Sequence, residues 1–172
     1  MAIYSLGDVV PKVDPEAYVH PDATVIGDVT IGAGSTVWPH AVLRGDYGRI
    51  VVGARTSIQD GSVIHATAEL PTVVGDDVVV GHLVHMECCT IHDRSLVGTG
   101  SIVLHRAVVE SGALVGAGAV VPNGMRVPSG AMALGIPAKL REDCVDADDI
   151  ARIVRDYVGN GVRYRGELQR LD

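Results

Sequence analysis

Aliphatic residues recur every six positions along most of this chain. From Val13 the step reads Val13, Val19, Val25, Ile31, Val37 and Leu43. After a slip near Arg49 it resumes as Val52, Ile58 and Ile64, then as Val74, Val80 and Met86. A last run carries Ile91, Val97, Val103, Val109, Val115, Val121 and Val127. Four residues after most of these stands a small or β-branched residue, such as Ala23, Ser35, Thr56, Ser62 or Ala113, and Gly32, Gly53, Gly75 and Gly81 follow directly on others. A period of six fits neither a 3.6-residue helix nor a strictly alternating strand. It fits a short strand that ends in a tight corner, with the aliphatic side chain inward, a small residue in the corner and Gly where the backbone angles are awkward. Three units close a triangular coil, and stacked coils pair their strands ~4.8 Å apart. The fold expected is an all-β solenoid, a parallel β-helix of about six to seven triangular coils.

The repeats run over about residues 13–131, within a β-helix domain expected at 1–137. A C-terminal helical segment is expected at 138–172. Its pattern starts near Glu142 and places Val145, Ile150, Ile153, Val154, Tyr157 and Val158 at spacings of three to five. Asp146, Asp148 and Asp149 enrich its start, as helix N-termini favour. Gly159-Asn160-Gly161 is expected to end or break it. The helix should pack back along the prism, cover apolar surface and reach toward a neighbouring subunit.

Composition agrees with a narrow interior. The chain has 172 residues with 21 Gly, five Tyr, one Trp and no Phe, and a thin prism has room for Val and Ile but little for Phe. The formal net charge is −7, and no basic patch marks a nucleic-acid partner. The arginines of the tail alternate with acids and read as a solvated helix face. No apolar run of ~18 residues suggests a membrane span, and no signal peptide is readable. Cys88, Cys89 and Cys144 form no CxxC pair, which suits a reducing compartment and a cytoplasmic protein.

The breaks in the ruler point to function, because insertions become loops. Ile64 and Val74 are ten residues apart, and that break opens with His65. Met86 and Ile91 are five apart, around Glu87-Cys88-Cys89, and Gly81-His82 lies between the two breaks. Counting three steps per coil stacks Met86 on Ile64. His65 and Glu87 then share one ridge on successive coils, ~5 Å apart at Cα, close enough for both to hold one metal ion. His82 falls on another face and reaches that ion only from a neighbour in a three-fold assembly. His20, His40 and His105 have no such placement and read as surface or packing residues.

Longer segments carry a family resemblance. Val37-Trp38-Pro39-His40-Ala41-Val42-Leu43-Arg44-Gly45-Asp46 resembles the VWPxAVLRGD segment of γ-class carbonic anhydrases. Thr56-Ser57-Ile58-Gln59-Asp60-Gly61-Ser62-Val63-Ile64-His65 resembles their TNIQDGxVxH. Val80-Gly81-His82 resembles the VGH that follows, and Gly135-Ile136-Pro137-Ala138-Lys139 resembles their GxPAK. The resemblance runs from about Ile3 to Tyr164. It implies a left-handed β-helix and a homotrimer with Zn²⁺ held by three His at each subunit interface. Fe²⁺ and Co²⁺ also suit such N and O donors.

His65 and His82 match two of those ligands. The family motif GHxxxxHGC puts its third His where this chain has Glu87, so Glu87 is the expected third ligand, with His85 as the alternative. A His₂Glu set is a recognised zinc environment. The resemblance also implies that Gln59 positions the metal-bound water or hydroxide. Ser57 stands where the family has Asn. Arg44, Asp46 and Asp60 match an interface ion network. Tyr157, with Tyr164 as a second candidate, matches a tyrosine on the C-terminal helix that reaches the site, and Glu69 is placed to move protons. The implied reaction is attack of metal-bound hydroxide on CO₂ to give bicarbonate, weakened or altered by Glu87. Two alternatives stand beside it. One is acyl transfer from a CoA thioester with His82, His85 or His92 as base, and the other is a non-catalytic member that holds metal or a small ligand.

Overall fold

The structure, a computed structural model, describes residues 2–172. Met1, the first residue of the expected β-helix domain, lies outside them. The chain winds as a left-handed parallel β-helix of about seven turns, followed by one helix. Of the six-step residues, all but Val13 are buried, and Val13 packs partly buried against the same core. Strands of two or three residues stack in parallel from coil to coil, as in Val79–Val80 on Ser57–Ile58 and Leu96–Val97 on Val79–Val80. Two longer strands, Thr24–Ile31 and Val42–Val52, run through a corner and join two faces of the prism into one 12-stranded sheet. The third face is an 8-stranded sheet.

The corners explain the small residues. Ser35 Oγ donates to Gly53 O (2.6 Å) and accepts from Thr56 N (2.9 Å). Thr56 Oγ1 and Ser62 Oγ make the same two-way link, to Gly75 O and Val78 N and to Gly81 O and Val84 N. These hydroxyls are buried staples between coils, so polarity as well as size is selected there. At Gly32 a Cβ would meet the Gly53 carbonyl carbon of the next coil at 2.7 Å, so close coil stacking requires glycine.

Past the last coil, Lys139–Arg141 forms a strand antiparallel to Met132–Leu134. The segment after 137 is therefore not helical from its start. The helix spans Ala147–Glu167 and starts five residues later than Glu142, because the Asp146 side chain caps it by accepting from Asp148 N. It also runs unbroken through Gly159-Asn160-Gly161, against expectation. Gly161 is buried against the prism with Thr36 and Tyr18 beside it, so this glycine permits close approach rather than ending the helix. Ile150 and Val154 pack with Val79, and Tyr157 and Tyr164 set their rings 5.7 and 5.0 Å from Trp38. Arg165, exposed like the other arginines of the tail, donates to the Glu16 and Ala17 carbonyls (2.9 and 2.7 Å) and ties the last turn to the first coil. Among the described residues no helix is long and apolar enough to cross a membrane.

Candidate metal centre

Register builds the first half of the site. Arg44, His65 and Glu87 are direct partners on three successive coils, and Met86 lies on Ile64. The nine-residue step from Leu43 to Val52 bulges Asp46 outward beside His65. His65 Nε2 is 2.9 Å from Asp46 Oδ1, and Nδ1 is 2.9 Å from Glu87 Oε1. Arg44 pairs with the other oxygen of Asp46. Thr72 Oγ1 locks the backbone here, donating to His65 O (2.5 Å) and accepting from Cys88 N (2.7 Å).

The electrostatics follow from these contacts. Burial pushes the Asp46 carboxyl up, but hydrogen bonds from His65 and Arg44 outweigh it and hold the group below its ordinary range. At Glu87 the hydrogen bond from His65 is the largest effect and, with His105, lowers the carboxyl against partial burial. A neutral imidazole has one N–H and satisfies one carboxylate. His65 faces two, so both are satisfied together only when the ring carries two protons or a cation sits on one side. With N–H given to Asp46, the Nδ1 lone pair and the Glu87 oxygen converge as two electron-pair donors. That donor set fits a divalent ion, with Asp46 as the carboxylate that fixes the ring.

The second half lies at the preceding corner. Asp60 Oδ2 is 2.9 Å from His82 Nδ1, which leaves Nε2 of this exposed ring free. Gln59 is buried and contacts Tyr157, whose phenol is held above its ordinary range by burial and by the charge of Asp60. Ser57 is buried too, but its hydroxyl is spent on the Trp38 indole N–H (3.0 Å), under the helix. Tyr164 packs on Tyr18 and Trp38 rather than near either imidazole. Glu69 is exposed on the loop after His65, and His92 is exposed as well. One protomer thus brings together Arg44, Asp46, His65 and Glu87 on one edge and Gln59, Asp60, His82 and Tyr157 on another.

His105, which the sequence marks as a surface or packing residue, is partly exposed and joins this cluster. It lies one coil above Cys88, with Nε2 3.3 Å from Glu87 Oε2, and His85 Nε2 is 3.9 Å from the same oxygen. The signal was present in the spacing, since His105 follows Cys88 by 17 residues, one coil of the ruler at steps of five, six and six from Met86 to Val103. Thr72 was missed because it lies inside the longest break, where no period applies.

The repeat and winding define a hexapeptide-repeat β-helix protein. A family model described as bacterial transferase hexapeptide (six repeats) matches residues 11–45. A carbonic anhydrase of Geobacillus kaustophilus (strain HTA426) is 41% identical over 170 residues, 98% of this chain and 93% of that protein. The carnitine operon protein CaiE of Proteus sp. (strain LE138) is 40% identical over 148 residues, 86% of this chain and 75% of the relative. A solved structure, a hexapeptide transferase family protein from Anaplasma phagocytophilum, is 36% identical with a TM-score of 0.91, covering 97% of this chain and 98% of that one. The chain belongs to the γ-class carbonic anhydrase-like family of hexapeptide-repeat proteins.

Proposed function

We propose that this protein is a carbonic anhydrase-type enzyme working as a homotrimer, with His65 and Glu87 of one protomer and His82 of the next holding one Zn²⁺ at each interface. Fe²⁺ and Co²⁺ are accepted by the same donors. One observation carries the reading: each imidazole of the set is backed by its own carboxylate, Asp46 behind His65 and Asp60 behind His82, both at 2.9 Å. Such backing fixes the tautomer and aims the opposite nitrogen outward. His65 and His82 occupy different edges of the prism, the arrangement that a closed three-fold assembly brings together.

The bound ion would supply a water acidic enough to add to CO₂ near neutral pH and give bicarbonate. The residues do the rest. Gln59, held by burial and by Tyr157, orients the attacking oxygen. Asp46 and Arg44 keep His65 in place, and Asp60 does the same for His82. Glu69, on its exposed loop, exchanges protons with solvent. Ser57, turned under the helix, supports Trp38 and through it the placement of Tyr157. Three free thiols suit the reducing cytoplasm as the compartment.

Subunit complementation tests this. His65→Ala and His82→Ala should each abolish hydration of CO₂ and interface zinc. Refolded together, the two variants should rebuild about one quarter of the sites, since random mixing pairs an intact His65 edge with an intact His82 edge that often. Mixed trimers with no recovery would refute a shared site. Saturable CoA-thioester binding with no hydration would mark acyl transfer using His82, His85 or His92, and bound metal with neither activity would mark a non-catalytic member.

A further inference from the structure

Glu87 has two oxygens and the interface ion needs one. Oε1 faces His65, while Oε2 faces His105 Nε2 at 3.3 Å and His85 Nε2 at 3.9 Å. On that second side a ligand atom of Glu87, the Cys88 thiol and a ring nitrogen of His105 all lie within 4.8 Å of one another. We propose that Glu87, Cys88 and His105 form a second cation site within a single chain, with Glu87 bridging it to the interface ion and His85 as a fourth donor in reach. This goes beyond the interface reading and does not depend on His82.

The donor chemistry names the cation class. A thiolate, an imidazole and a carboxylate select a borderline-soft divalent ion, above all Zn²⁺, over the hard Mg²⁺ and Ca²⁺. Donors on one such ion sit ~3.2–3.8 Å apart, given bonds of ~2.0–2.3 Å, so the set must draw in by about 1 Å. His105 and His85 have side chains 36% and 41% exposed and are free to swing. The charges also bear on the pair. The two ions share the negative charge of bridging Glu87, and a Cys88 thiolate adds a second negative charge on the far side that offsets part of the repulsion between them.

The neighbouring thiols have different roles. Cys89 is fully buried in the core, and burial pushes its thiol up to about 12, far from a thiolate at neutral pH. Cys88 is buried too but lies outside that core cluster, within reach of Glu87 and His105. Its thiol donates to the Thr67 hydroxyl at 3.5 Å, a weak hydrogen bond that a metal–sulfur bond would replace.

The experiment loads apo protein with Co²⁺ alone and reads metal per chain and the near-ultraviolet thiolate-to-Co²⁺ charge-transfer band. Wild type should bind two ions per chain and show the band. Cys88→Gly should lose the band and one ion. Position 88 has φ +54°, where glycine is favoured, so this variant keeps its fold and removes only the ligand. His105→Ala should weaken the same ion at least about tenfold. His82→Ala should lose the interface ion and keep the band. A single ion per chain without the band in wild type, or a band that survives Cys88→Gly, would overturn the second site. Retention of both ions by His82→Ala would instead overturn the interface reading while leaving this one intact.

Discussion

Glu87 stands one coil above His65 on the same ridge, with Oε1 2.9 Å from the ring Nδ1. Asp46 holds the opposite nitrogen, so this donor pair is set by strand register and by the carboxylate of the neighbouring bulge. A carboxylate at this position brings a full negative charge where an imidazole brings none. An ion bound here keeps less positive charge with which to acidify a water.

Glu87→His should therefore shift the activity of the metal-loaded trimer to lower pH and raise it roughly tenfold near neutrality, since one pKa unit is a tenfold change. Stopped-flow CO₂ hydration across pH, wild type against variant, measures it. Coincident pH profiles would mean that Glu87 does not touch the ion.

Much of this site was legible from counting alone. Three steps of the ruler, the first stretched to ten residues, stacked Met86 on Ile64 and so put Glu87 over His65, because register in a solenoid is arithmetic on sequence. The same arithmetic stacks His105 on Cys88, beside Glu87, but applied only to the breaks it left His105 as a surface or packing residue. Asp46 reached the site through the resemblance and not through the ruler, since the bulge that places it is an insertion without a period. Gly161 was misread for a different reason. A glycine in a helical pattern signals a break locally, and only the tertiary contact with Thr36 reveals that it is there to let the helix approach.

Two glycines of that helix should respond oppositely to alanine. At Gly159 an added Cβ meets nothing within 4 Å, and Gly159→Ala should stabilise by about 1 kcal/mol through helix propensity. At Gly161 the Cβ would lie 2.6 Å from Thr36 Cγ2. Thr36 is β-branched and buried, and its hydroxyl accepts from the Trp38 indole, so it cannot turn away. Gly161→Ala should cost about 1–3 kcal/mol of overpacking, more than the propensity gain. Denaturant melts of the two variants decide this, and stabilisation by both would contradict the packing described.

The corner serines offer a matched pair. Ser62 and Ser101 both follow an inward aliphatic by four, and both are fully buried. Ser62 Oγ links Gly81 O and Val84 N, whereas Ser101 Oγ has no partner. Ser62→Ala should cost about 1–3 kcal/mol, and Ser101→Ala should be neutral or stabilise by up to about 1 kcal/mol, because it removes a buried hydroxyl that bonds to nothing. Equal losses in thermal unfolding would show that the corners count volume only.

The far end of the solenoid should carry a pH signature of its own. Glu110 Oε1 accepts from Arg126 at 2.7 Å, and Oε2 accepts from Ser129 N at 3.3 Å, which closes the final corner onto the coil below. The Arg126 hydrogen bond, followed by that from Ser129, holds the Glu110 carboxyl below its ordinary range. A folded value below the unfolded one means that folding favours the ionised form. The stabilisation is complete above the unfolded carboxylate range of about pH 4–5 and is lost as pH falls through the depressed folded value. Wild type should melt above Glu110→Gln at pH 7, and the gap should close in strong acid. Because both partners are solvent-facing, high salt at pH 7 should narrow the same gap. A gap that persists in acid would place the contribution of Glu110 in packing rather than in its charge.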